Sequence, residues 1–389
     1  METTPDLIDN YQINVVTSFK EMDAVRPLWE SAQWHPAADY EFFTLITQTR
    51  DNVISPCIFT VLRGKKPVAL LAGRIEAGKA PIRFGYATVA QIPVRQLILV
   101  AGGYMGERTQ ANWQRLLGCI QDQLPKIHAD LAIFERLKGE SFEYETILKT
   151  FNRSQLWAAQ NASNHWFLTL PSTWDEFLKG RSSKHRTWLK RLPRVLDRDF
   201  NCQWKIQLYS SPDEGRMFVD AAEAIASRTY QRGLGVGFCK NEETLRRIQL
   251  DAQRGRLRAY VLHIRNDPKA FWYCFCYKQT LYTAATGYDP AYRCYELGTI
   301  LLMKVLEDSC GTYLACVDFG EGDADYKRRF GSGSFDERSI RFFANSGRGF
   351  LLRNLFSIMD LGKRFALMLL DRFGVTQRVK TAWRRRLTD

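Results

Sequence analysis

Apolar and polar residues alternate over 11–16, which predicts a first strand. Ser18 then stands where a helix N-cap is expected, ahead of a helical pattern that includes Trp29. Two apolar runs, 58–62 and 68–72, flank Gly64-Lys-Lys-Pro67 and read as a hairpin. A strand over 97–101 ends at Gly102-Gly103, a helix is predicted over 109–124, and a further strand over 131–134. Strands, a crossover helix and another strand make an α/β order.

The second half repeats that order more fully. A strand over 165–170 precedes Ser172, a helix cap, and a strand over 203–208 follows. Helices are predicted over 213–230 and 242–254, then three strands over 256–265, 269–278 and 280–287. A helix opens at Thr299, a strand covers 313–319, a short helix carries Tyr326 and Lys327, and a last strand covers 340–343. The expected organisation is two α/β domains, 1–164 and 165–347, and a helical extension over 348–389. Residues 1–10 are polar and read as a loose terminus.

Composition narrows the class. With 389 residues, 45% apolar and 25% charged, the chain reads as a soluble protein with room for two cores. No apolar run follows the first Met and none reaches the ~18 residues a membrane span needs, so a cytoplasmic protein is expected. Nine cysteines at scattered positions form no CxxC pair or His/Cys cluster, which speaks against zinc and for reduced core residues. Cys274 and Cys276 fall on one face of a strand.

The net charge of +13 is local. Residues 179–200 hold eight Lys/Arg against two Asp, and 348–389 hold ten against three, which accounts for all of it. Two basic surfaces facing anionic partners are expected. In the first, Trp188, Leu192 and Val195 share a helical face, Arg181, Lys184, Lys190, Arg191 and Arg194 lie on wider polar arcs, and Pro193 bends the helix. A solvated face is the plainer alternative. His185, set among these cations, is expected to have a lowered proton affinity. In the second, apolar residues such as Leu351, Phe356 and Ile358 precede Trp383-Arg-Arg-Arg386. That pattern suits either helices packed on the body or an amphipathic helix on anionic lipid at the inner face of a membrane.

The densest stretch for chemistry is 284–335. Gly298 and Thr299 head a helix, a ready anion site if the first-turn amides are free. Asp318 ends a strand, Asp323 lies in the Gly320–Asp323 loop, and Lys327 follows four residues on. An Asp323–Lys327 surface pair, and a Gly298 serving only the backbone, are the plain alternatives.

The Gly-Tyr288-Asp-Pro turn, Gly298 heading a long helix, and Asp318-Phe-Gly-x-Gly-Asp323-x-x-Tyr326-Lys327 with Phe330-Gly331 together resemble the CelD/FemAB-like acyltransferases of the GNAT superfamily. The similarity covers about 165–345 well and the first 160 residues loosely. It implies two tandem GNAT-like domains with mixed sheets. It also implies transfer of an acyl group from acyl-CoA to an amine or hydroxyl of a sugar, a polysaccharide or cell-envelope precursor, or a lipid-linked acceptor. FemAB enzymes use aminoacyl-tRNA instead, and a non-catalytic GNAT-like module binding an anionic partner or membrane is the third alternative. By the resemblance, the backbone of Tyr295, Glu296, Leu297, Gly298 and Thr299 would hold the donor pyrophosphate. The usual loop there is Arg/Gln-x-x-Gly-x-Gly/Ala; this chain has Arg293-Cys-Tyr-Glu-Leu-Gly298, with a carboxylate that must point away. Lys184, Arg186, Tyr288 and Tyr326 would bind the acceptor. Lys327 would stabilise the oxyanion, and Asp318 or Asp323 would handle the proton.

Overall fold

The structure is a computed structural model and describes residues 11–84, 87–158, 163–229 and 237–372. It forms two compact units. The first takes residues up to 162 together with those from 336, and the second takes 163–335. Residues 336–347, expected in the second domain, thus return to the first, because their strand pairs there.

In the first unit, β1 (Tyr11–Val16) leads to α1 (Phe19–Ala32), whose capping box joins Ser18 and Glu21. Next come α2 (Tyr40–Thr49), capped by Asp39, then β2 (Val53–Pro56) and β3 (Ile58–Arg63). A hairpin of β4 (Lys66–Phe84) and β5 (Ala87–Gly106) is far longer than its apolar core, 68–72, predicts. The strand expected to stop at Gly102 instead runs on through an irregularity, with Gly102 at φ +69°. A Cβ there would lie 2.2 Å from that of His35, so only glycine fits. The crossover helix α3 (Gln110–Gln123) then leads to β6 (Leu131–Lys138), parallel to β5, and on to α4 (Phe142–Thr150) and β7 (Leu156–Ala158).

In the second unit, β8 (Ser163–Thr169) precedes α5 (Trp174–Lys179), capped by Thr173 rather than Ser172, and α6 (Ser183–Phe200). Leu189, Leu192 and Leu196 are the buried stripe of α6, a face turned slightly from the one expected. The chain continues through β9 (Trp204–Tyr209), α7 (Pro212–Ala226), α8 (Glu242–Gln253), and the antiparallel strands β10 (Leu257–Ile264), β11 (Asp267–Tyr277) and β12 (Thr280–Tyr288). The crossover helix α9 (Leu297–Ser309), β13 (Cys316–Glu321) and α10 (Asp325–Phe330) complete the unit. Then β14 (Gly333–Phe343) and α11 (Gly347–Arg372) follow.

The two sheets have matching orders, β1-β3-β4-β5-β6-β14 and β9-β10-β11-β12-β13-β8. In each, a hairpin is followed by a parallel crossover, and the sixth strand is antiparallel. That sixth strand is exchanged: β8, which follows the first unit's strands, joins the second sheet, and β14, which follows β13, joins the first. Ile340 and Phe342 of β14 are fully buried with Trp113, Leu116 and Phe134, and Phe342 stacks on Phe151 at 3.9 Å. Phe342→Ala should therefore cost about 3–5 kcal/mol. A urea titration should show the midpoint falling accordingly; an unchanged midpoint would mean that β14 does not complete this core.

Candidate functional site

Strands β12 and β13 run parallel, but they pair only between Thr280–Tyr282 and Cys316–Asp318. Beyond that point β12 continues to Tyr288 beside β11, and β13 continues to Glu321 beside β8, so the two splay apart. A register shift after Tyr273 leaves Ala284 without a partner on β11, a bulge at the start of the splay. Leu281, Val317, Phe319 and Leu168 point into the core under α6 and α9. By alternation, Asp318 faces the other side, where Tyr282 packs against the α7 and α8 core.

On that side Asp318 meets His165 of β8. His165 Nε2 lies 2.8 Å from Asp318 Oδ1, and the same carboxylate oxygen accepts from the Gly320 amide at 2.7 Å. Their side chains are 7% and 17% exposed, and the imidazole stacks on Phe335 at 4.7 Å. The carboxylate fixes the ring orientation and favours the tautomer with the proton on Nε2. Thr283 adds a hydroxyl bond to the Asp318 carbonyl across the mouth of the splay.

The other side holds the head of α9. The helix begins at Leu297, two residues before the expected start, so Thr299 is not its cap; the Thr299 amide bonds the Glu296 carbonyl at 2.8 Å. Glu296 sits at φ 52°, ψ 43°, the left-handed conformation that suits glycine, at a cost of about 1–2 kcal/mol for another residue. Its carboxylate does point away, accepting from Trp188 Nε1 of α6 at 3.0 Å. The Leu297 and Gly298 amides meet no protein acceptor among the described residues. Trp272 donates to the Gly298 carbonyl, Tyr295 packs on Phe200, and Tyr288 stands exposed with its ring 3.9 Å from where a Gly298 Cβ would be. The turn between is pinned by Asp289, which accepts from Lys269 and Arg228 and caps Ala291.

Tyr326 belongs to this second side, and Lys327 follows it on α10. The Lys327 ammonium, on a residue 7% exposed, donates to the carbonyls of Gly320 and Glu321 at 3.2 and 2.6 Å and so clamps the end of β13. Tyr326 lies edge-on to Trp272 and Phe319, and burial pushes its hydroxyl well above the usual range. Asp323 is exposed and accepts from Trp166 and Asn164, whose bonds hold its carboxyl below the usual range. Of the basic segment, Lys184 is exposed, whereas Arg186 donates back to the Arg181 carbonyl and Arg181 binds the carbonyls that end α10. His185 packs edge-on to Trp188 and Phe330, with its proton affinity lowered first by burial and then by Arg181 and Arg329. The structure thus joins Asp318 to a histidine that no sequence pattern had marked. The partners are 153 residues apart, and a lone His opening a strand carries no signal of that pairing.

Residues 183–328 match the family described as Acetyltransferase (GNAT) domain. No curated protein sequence matches the chain. Among solved structures, that of FemX aligns with 85% of this chain and 98% of its own, at TM-score 0.53 and 10% identity. A tandem GNAT protein from the clavulanic acid biosynthesis pathway aligns over 86% and 100%, at TM-score 0.50 and 12% identity. L-PGS from Bacillus licheniformis aligns over 87% and 96%, at TM-score 0.50 and 11% identity. Splay, crossover helix and repeated sheet order define a tandem GNAT fold. The family match is confined to residues 183–328, and beyond them the similarity is one of fold.

The Lys327 geometry sets a test of its own. Lys327→Met leaves two carbonyls at the end of β13 without this donor, and should cost about 1–3 kcal/mol. Thermal unfolding should show a clear drop; an unchanged melting temperature would mean that the ammonium contributes no clamp.

Proposed function

We propose that this protein transfers an acyl group from a thioester donor, acyl-CoA, to an amine or hydroxyl of a sugar or cell-envelope precursor, with His165 and Asp318 managing the acceptor's proton. The observation that carries the reading is the 2.8 Å His165–Asp318 pair at the mouth of the splay. In this reading the carboxylate orients the imidazole and stabilises the imidazolium formed as the acceptor loses its proton. The open amides of Leu297 and Gly298 would take a donor phosphate, and the backbone along the splay would hold the acyl carbonyl. Lys327 serves by fixing the β13 end rather than by touching the oxyanion. Asp323, Lys184 and Tyr288 stay candidates for acceptor contact, being exposed. One feature favours testing a second donor, aminoacyl-tRNA: the α9 head carries Glu296 where the usual donor loop has glycine.

His165→Gln and Asp318→Asn should each lower kcat by on the order of 10²–10⁴ with little change in donor affinity. Near-normal turnover in both, in an assay with a working donor, would sink the dyad. Gly298→Val meets only the Tyr288 ring at 3.9 Å, so the fold should hold while calorimetric CoA affinity falls. Equal affinity would move the donor elsewhere, with aminoacyl-tRNA next to be tried.

We also propose that α11 rests on anionic lipid, as suits a lipid-linked acceptor. Leu352 is buried and Phe356 packs beside it, while Phe350, Leu351, Ile358, Leu361 and Met368 are exposed. No helix among the described residues is long and apolar enough to cross a membrane. The basic cluster Arg384–Arg386 lies outside the described residues. Replacing Leu351, Ile358 and Leu361 with Ser should abolish sedimentation with phosphatidylglycerol vesicles, and salt should weaken wild-type binding. Wild type that fails to sediment at low salt would end this reading.

A further inference from the structure

The first unit contains a guanidinium that the fold holds but does not neutralise. Arg341 of β14 is paired in register with Trp157 of β7. Its guanidinium carbon lies 4.8 Å from the Trp157 ring and 5.5 Å from the Phe356 ring of α11. These rings are 5.8 Å apart with planes at 55°, so the cation rests in the angle between them. Phe343 backs Phe356 at 5.7 Å. Burial lowers the Arg341 proton affinity, yet no carboxylate or carbonyl accepts from it among the described residues. Arg353 stands one helical turn before Phe356; its Nε is buried without a partner, and its only side-chain bond is to Asn354.

Two other arginines of this unit show what is missing. Arg74 binds Glu76 at 2.6 Å, and Arg348 of the same helix binds Asp130 at 2.7 Å. Contact with two aromatic rings offsets part of the cost of burying a cation, by roughly 0.5–2 kcal/mol. It uses the π faces and leaves the planar N–H fork unspent. A fork held on rings, with no carboxylate paired to it among the described residues, suits a doubly charged oxyanion.

We propose that Arg341, seated against Trp157 and Phe356, forms an oxyanion receptor for the phosphate group of a phosphorylated ligand or lipid headgroup. The site lies wholly within the first unit and is independent of the proposed acyl transfer in the second.

Inorganic pyrophosphate is the probe. Binding should be followed by calorimetry and by the indole signals of the full chain, assigned with Trp157→Phe. Wild type should bind, and Arg341→Gln should lose about tenfold to a hundredfold in affinity, as removal of charge-assisted bonds predicts. Arg341→Lys should also weaken binding, because the charge stays and the fork is lost. If Arg341→Gln does not fold by circular dichroism, Phe356→Leu, which loosens only one wall, should still reduce affinity several-fold. Vesicles containing phosphatidylglycerol separate the sources: binding that pyrophosphate displaces assigns a headgroup, and pyrophosphate binding without competition assigns a soluble phosphate ester. Wild type that ignores pyrophosphate, or variants that bind it as wild type does, overturns the proposal.

Discussion

The second unit depends on how briefly β12 and β13 pair. Parallel strands normally keep a ladder along their common length. Here three residues on each strand pair and the rest diverge, so backbone groups on both strands must find other partners. Several devices meet that demand. Ala284 bulges β12 away, β8 takes up β13, the Asp318 carboxylate caps the Gly320 amide, and the Lys327 ammonium holds the last two carbonyls. Asp318 and Lys327 among these are residues that looked chemical in the sequence.

Shared duty explains why roles are hard to assign there. Asp318 both holds a backbone turn and orients His165, so its loss acts on structure and chemistry together. Lys327 looks like an oxyanion donor by spacing, and its ammonium also bonds two backbone carbonyls. Glu296 keeps the backbone shape that the usual glycine would give while adding a carboxylate, which Trp188 holds.

Much of the fold was legible in the sequence. Hydrophobic runs marked most strands of both sheets, and Ser18 marked its helix by capping chemistry that acts over three residues. The repeated element order and the family resemblance gave the tandem fold. What stayed hidden depended on distance. The ribbon beyond residue 73 has few apolar runs, because one of its faces meets solvent. The start of α9 was misplaced because a glutamate took the left-handed position usually left to glycine. The Asp318–His165 pair and the Arg341 pocket join residues from strands far apart in sequence, and register across a sheet leaves no local trace. Asp318 was named from the sequence, while its partner His165 was not.

The exchanged sixth strands have a consequence during synthesis. A chain emerging from the ribosome usually folds its N-terminal part first. Here the first sheet lacks β14 until residue 343 has left the tunnel, although its other strands are complete by residue 158. Throughout the intervening translation, β6 presents an unpaired edge to the crowded cytosol or to other nascent chains. A slow stretch of codons or an early stop in the second half would then leave a first unit that is nearly built, sticky, and unable to close.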